Sequence, residues 1–409
     1  MEGSRSFKTI NILSSQREGN RRKFSFYKVG LAGCLMSKSR YWFVPIFVCW
    51  LLVSCSRPTP APAPKPAVKL RRLEGYPRAT IRAIADQKEA LSKAGKNPFH
   101  LYQIRSKSRT WPANHALITV AFQGGSSALR SQIAQALTPW TTPDAANISF
   151  DFGPNSAAGQ FREWRDTDTN YAADIRIAFR SGDEGGYWSM VGNDSIKPSL
   201  AKPNQPSMNF EGFPDELPTD YQATVLHEFG HALGFEHEHQ SPIAPCETEF
   251  RWNDDPGYVQ TRDIDQQFIP DAQGRRPGIY TVLGGPPNNW KTDQIDFNLR
   301  QLAQSADWVL SSFDKTSIMK YHFDPWMFTN GTQSQCYSTA NLALSPMDIE
   351  AAKKTYPRSP SEIAATLDSQ IKAQHELLML NGLPPQMRSE FKASADLVKR
   401  AKSRRVTKP

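Results

Sequence analysis

Cysteine is scarce in this chain: five in 409 residues, with none between positions 56 and 245. A scaffold stapled by many bridges is excluded, and no thiolate from that stretch is available to block a metal. Beyond residue 55 only Cys246 and Cys336 remain. They are predicted to be bridged in an oxidising compartment, with two free buried thiols as the alternative. Long apolar runs are lacking as well, since Tyr41 through Leu52 is too short to read as a membrane span. The apparent charge excess also dissolves on inspection. Of the formal +9, residues 1–55 supply nine Lys or Arg against two acids, which leaves +2 for the rest. The basic balance therefore reports the leader, and no nucleic-acid partner is expected.

What the chain does have is His227-Glu228-Phe229-Gly230-His231-Ala232-Leu233-Gly234-Phe235-Glu236-His237. On a helix, His227 and His231 lie about 40° apart in azimuth and one turn apart, so both can point at one metal ion, with Glu228 beside them. His237 on an uninterrupted helix would swing roughly 120° off that side. The helix must break first, and Gly234 stands where a left-handed cap costs least. Three neutral imidazoles would leave a zinc ion with its full charge and an open position, and Glu228 is placed to act as general base. His239 competes for the third ligand position. In an extended segment, however, its α-carbon would lie about 6 to 7 Å from that of His237, too far for both to share a metal.

The pattern H-E-x-x-H-x-x-G-x-x-H resembles that of the metzincin zinc endopeptidases, and Gly234-Phe235-Glu236-His237-Glu238 is most similar to their astacin branch. That resemblance implies one zinc ion held by His227, His231 and His237, with Glu228 as catalytic base. Downstream, Ser317-Ile318-Met319-Lys320-Tyr321 is similar to the astacin Met-turn. It implies that Met319 floors the metal site, and that Tyr321 is a catalytic hydrogen-bond donor and switchable extra ligand. Leu344-Ser345-Pro346-Met347-Asp348-Ile349, running on to Tyr356-Pro357, resembles the helix start that follows the Met-turn. The chain departs from the astacin pattern at His239-Gln240-Ser241-Pro242, where charged residues are usual.

The surrounding sequence reads as a frame of α+β class: a mixed sheet, an active-site helix and a C-terminal helical extension. Leu117 to Phe122, Ile148 to Phe152 and Asp174 to Phe179 have strand character, and Ser126 to Leu137 has helical spacing. Pro206 to Phe210 is similar to the metzincin edge strand that aligns substrate backbone. Asp220 is the expected N-cap of the histidine helix, which should run to about Leu233. A further helix is expected over Thr292 to Gln304. The segment from Phe250 to Asp307 is expected in the lower half of the cleft. His322 to Phe328 is expected to form part of a substrate side-chain pocket, or else simple core.

Four regions follow. Residues 1–55 read as a leader: Met36-Ser-Lys-Ser-Arg40 is a basic n-region, with Met36 the expected true start, and Leu52-Val53-Ser54-Cys55 resembles a bacterial lipobox, which makes Cys55 a lipidation candidate. Residues 56–109 read as a Pro/Ala-rich tether and linker or pro-segment. Residues 110–357 are the catalytic domain, and 358–409 are a helical hairpin with a basic tail. The expected function is an exported or surface-tethered zinc endopeptidase acting on protein or peptide, bound to a membrane if Cys55 carries lipid. A catalytically silent binding module and a zinc hydrolase of peptidoglycan cross-links are the alternatives.

Overall fold

In the computed structural model, the described residues are 73–94, 107–114, 117–302 and 312–406. They belong to a compact unit that spans Val68–Pro409. The leader, the lipobox cysteine Cys55 and the Pro/Ala run lie outside the described residues.

Strand β1 (Leu117–Phe122) is rich in β-branched and aromatic residues, Ile118, Thr119, Val120 and Phe122, of the kind that pack well in a sheet. Parallel to it run β2 (Ser149–Asp151) on one side and β3 (Ile175–Ala178) on the other. The sheet order is β2-β1-β3-β5-β4, where β4 is Tyr187–Ser189 and β5 is Met208–Phe210. β5 pairs parallel with β3, and β4 pairs antiparallel with β5. This corrects one expectation: Met208–Phe210 is interior, and the edge strand is Tyr187–Ser189. The edge segment is three residues long, too short for its alternation to be read from sequence.

Between β1 and β2, Gly124 and Gly125 at φ +81 and +74 turn the chain into helix α2 (Ser127–Ala136). The Ser126 side chain caps it by accepting from the Leu129 amide at 3.1 Å. Ile118, Val120 and Phe122 share one core with Leu129 and Ile133 of α2 and with Val225 and Phe229 of helix α3 (Tyr221–Ala232). Ala121, between them in sequence, packs instead with Trp164 and Ala178. That alternation is the pleat of a strand covered on both faces. Asp220 stands at the N-cap of α3, although its side chain makes no capping hydrogen bond there.

After α3 come a short helix α4 (Cys246–Glu249), the two-residue strands β6 (Thr261–Arg262) and β7 (Phe268–Ile269), helix α5 (Ile279–Gly284) and helix α6 (Thr292–Leu299). A second core gathers Phe250, Ile279, Leu283, Ile295 and Leu299 with Tyr321, Phe323 and Phe328. Cys246 and Cys336 belong to this core and are joined in a disulfide. Helix α6 stops five residues short of the expected Gln304. Arg300 takes extended backbone angles while its guanidinium is held by Asp296 and by the Tyr280 hydroxyl, at 3.2 and 2.6 Å. Phe323 and Phe328 are buried in this second core, so the core reading holds for them.

Helix α7 (Pro346–Thr355) opens on a complete capping box between Ser345 and Asp348. The final pair, α8 (Pro360–Leu378) and α9 (Pro385–Val406), forms the C-terminal helical extension. None of the described helices is long and apolar enough to cross a membrane. One helix went unread in the sequence, α1 (Arg78–Ala94), inside the stretch expected to be tether and linker or pro-segment. Its buried positions Ile81, Ile84, Gln87 and Leu91 follow the helical spacing.

Candidate metal centre

Helix α3 ends in a full Schellman turn. The Phe235 amide donates to the Gly230 carbonyl at 3.1 Å and the Gly234 amide to the His231 carbonyl at 2.7 Å, with Gly234 at φ +103. Two distant side chains take the carbonyls left over at that end. The Trp111 indole donates to Ala232 at 2.8 Å and the Tyr356 hydroxyl to Leu233 at 2.6 Å. The chain then turns back and brings His237 to the histidines of the helix.

The three imidazoles are buried, and their orientation is set by what holds each Nδ1. His227 Nδ1 faces the Ile318 carbonyl at 2.6 Å, His231 Nδ1 the Phe235 carbonyl at 2.7 Å, and His237 Nδ1 the Gln240 Oε1 at 3.0 Å. The first two partners are carbonyls, which only accept. Gln240 spends its amide donor on the Phe297 and Arg300 carbonyls, both at 3.0 Å, so its oxygen is the atom left for His237. Each Nδ1 therefore carries the proton, and each Nε2 keeps a lone pair aimed at a common point. The Nε2 atoms of His231 and His237 lie 2.9 Å apart. Zinc held by bonds near 2.1 Å in a tetrahedron sets neighbouring ligand atoms about 3.4 Å apart, so the donor set fits zinc after a slight opening.

The group that comes closest to these nitrogens is one the sequence did not reveal. Glu74, from the strap ahead of α1, places its carboxylate oxygens 2.7 Å from His227 Nε2, 3.1 Å from His231 Nε2 and 2.9 Å from His237 Nε2. The four ligand atoms of Glu74, His227, His231 and His237 all lie within 4.8 Å of one another. A lone acid in Leu73-Glu74-Gly75-Tyr76 carries no spacing relative to the histidines, so nothing local marked it.

No protein-family profile and no curated protein matches the chain. Among solved structures it is similar to two of myroilysin, at 29% and 28% identity, covering 62% and 61% of this chain and 97% and 87% of those, with TM-scores of 0.43 and 0.39. It is also similar to high choriolytic enzyme 1, a hatching enzyme zinc-protease from Oryzias latipes (medaka fish), at 14% identity over 62% of this chain and 97% of that one, with a TM-score of 0.36.

Glu228 is fully buried, and neither of its carboxylate oxygens has a hydrogen-bond partner among the described residues. Burial, and then the Glu74 carboxylate, push its pKa well above the usual range. A buried carboxyl with no partner is costly to keep and is characteristic of a proton-handling site. His239 is turned away from the centre, with Nε2 donating to the Asn298 carbonyl at 3.0 Å.

The floor is Ser317 to Tyr321. Asp348, at the start of α7, accepts from Ser317 Oγ at 2.6 Å and from the Ile318 amide at 2.8 Å, while the carbonyl of the same residue, Ile318, accepts from His227. The cap of one helix thus fixes a ligand on another through a single residue, Ile318. Met319 lies against Gly230 and packs in the main core. The Tyr321 ring centroid is 4.4 Å from that of His237, and its hydroxyl donates to the Glu74 backbone carbonyl at 2.9 Å.

Proposed function

We propose that this chain is a zinc-dependent endopeptidase. The observation that carries the reading is the set of three Nε2 lone pairs, their Nδ1 protons already committed, converging beside the unpartnered carboxylate of Glu228. His227, His231 and His237 would hold one zinc ion, which when bound supplies an acidified water and polarises the substrate carbonyl. Glu228 would take the proton of the attacking water and hand it to the leaving amine. Tyr321, once its hydroxyl leaves the Glu74 carbonyl, would donate to the developing oxyanion. With Glu228 and Tyr321 both in place, a silent binding module is disfavoured. Glu228→Gln is expected to retain zinc and lose casein clearing by at least about a thousandfold, with zinc measured by atomic emission and clearing with and without chelator. Parent-like turnover in that variant would sink the assignment. Bound zinc without clearing by the unblocked parent would favour the peptidoglycan alternative.

The described form is latent in this reading, because the Glu74 carboxylate stands at the fourth ligand position. The arm is built to hold it there. The Gly75 amide donates to the Tyr187 carbonyl of the edge strand at 3.2 Å, and the Tyr76 hydroxyl to the Ser189 carbonyl at 2.6 Å. Gly75 has no room for a side chain, since a Cβ there would meet the Trp290 ring at 2.5 Å. Glu74→Ala is expected to raise the activity of the uncut chain by roughly tenfold to a hundredfold, matching the ~1.5–3 kcal/mol that one contact to a charged group contributes. Unchanged low activity would show that some other contact blocks the centre.

Export and lipid tethering at Cys55 are part of the proposal. The Cys246–Cys336 disulfide, which belongs in an oxidising compartment, supports export. Mass spectrometry of the mature N-terminus tests both.

A further inference from the structure

The C-terminal helices touch the N-terminal arm, not the metal centre. Helix α1 presents one apolar face with two docking points. Ile84 packs with Trp188, Met190, Leu200 and Ala201 of the catalytic body. Two turns later, Leu91 is enclosed by Ala373 and Leu377 of α8, Leu383 of the connection, and Met387 and Phe391 of α9. The helical pair has its own hold on the body. Glu390 accepts from the Ser199 amide and hydroxyl at 2.8 and 2.6 Å, and Gln370 donates to the Trp111 carbonyl at 2.8 Å. It is thus a fixed part of the body with a pocket turned toward α1. None of its described residues belongs to the metal cluster.

Between the two docking points lies Gln87, only 3% exposed, with neither amide atom partnered among the described residues. An unpaired buried amide weakens an interface. The docking is therefore a graded hold, firm at both ends and softened in the middle.

We propose that α8 and α9 form a built-in receptor for α1, which keeps the blocking arm bound after the chain is cut between Ala94 and Lys107. A single cut there leaves the enzyme latent, and release requires a second event that destroys α1 or dislodges it from the Leu91 pocket. The effect of the arm on activity rests on the zinc-peptidase reading above, whereas retention of the arm does not.

The test places a recognition sequence for a specific protease between residues 94 and 107 of the full chain, labels the arm, cuts, and follows arm and body through a dilution series on size exclusion. In the parent the two pieces co-elute at micromolar concentration and clearing stays low. Leu91→Asp is expected to weaken the hold by roughly a hundredfold, as loss of a buried leucine implies. Ser92→Asp, one position away on the exposed face, leaves it unchanged. Gln87→Leu is expected to tighten it by about fivefold or more, a gain that general disruption of the helix would not produce. Separation of the parent pieces on cutting, equal behaviour of the Leu91 and Ser92 variants, or no tightening from Gln87→Leu would overturn the proposal. If the Leu91→Asp arm departs and no chelator-sensitive clearing appears, retention stands and the peptidase reading falls.

Discussion

Lys320 carries a charge into the floor of the metal centre with no carboxylate among the described residues to meet it. Its side chain is 3% exposed, and its ammonium donates to the Tyr321 carbonyl and the Ser338 hydroxyl, both at 3.1 Å. Burial, aided by Lys315, brings its pKa down to about 8. A lysine whose folded pKa lies below its unfolded one contributes stability that is full above the unfolded value and is lost as pH falls to the folded value. The cost of the buried charge is therefore complete at pH 7 and fades between about pH 8 and 10.5, with a size on the order of 3 kcal/mol. Lys320→Met should accordingly be the more stable protein at pH 7, with an advantage that shrinks steadily towards pH 10. Urea unfolding of both proteins across that range measures the difference, and a gap that does not change with pH would refute it.

At the scale of elements, the site depends on how closely α3 lies on the turn that bears Met319. Gly230 permits that approach. A Cβ there would fall inside van der Waals contact with Met319 Sδ, 3.1 Å from its Cε and 3.2 Å from the Trp140 ring. Alanine would test this poorly, because its helix preference over glycine, worth about 1 kcal/mol, offsets part of the clash. Gly230→Val has no such offset and is expected to cost about 3 kcal/mol and to lower zinc retention, read by thermal unfolding and by metal content after dialysis. This contact also marks where the sequence was legible. The zinc motif, the helix break at Gly234 and the turn at Met319 are local strings whose spacing fixes their geometry, and β1, α2, α3 and the C-terminal helices carry clear periodicity. The edge strand Tyr187–Ser189 is too short to show a period. The early end of α6 is decided by Arg300 meeting Tyr280 and Asp296, contacts made only in the fold. Glu74 stands far from the histidines in sequence, with no pattern to tie it to them. Helix α1 had a readable face that its proline-rich surroundings masked.

For the molecule as a whole, the two halves beside the centre are stabilised by different means. The upper half, residues 117–232, has a five-stranded sheet covered on both faces. The lower half, residues 246–336, has one pair of two-residue strands among its described residues, and its core surrounds the Cys246–Cys336 bridge. That bridge closes a loop with a sequence separation of 90 residues, for which chain entropy alone assigns about 4–5 kcal/mol. The sheet half and the histidine helix lie outside this loop's first residue, whereas Tyr321 and the Met-turn lie within it. Removing the bridge should therefore loosen the lower half first. The Cys246→Ser, Cys336→Ser double variant is expected to unfold in two steps, with the lower half melting several degrees below the upper. Near the first step it should lose turnover before it loses metal, because Tyr321 packs in the weakened core and His227 and His231 belong to helix α3 of the upper half. Differential scanning calorimetry, together with activity and zinc content measured across the first transition, decides the matter. A single cooperative transition, with turnover and metal lost together, would mean that the two halves fold as one unit and that the bridge is redundant.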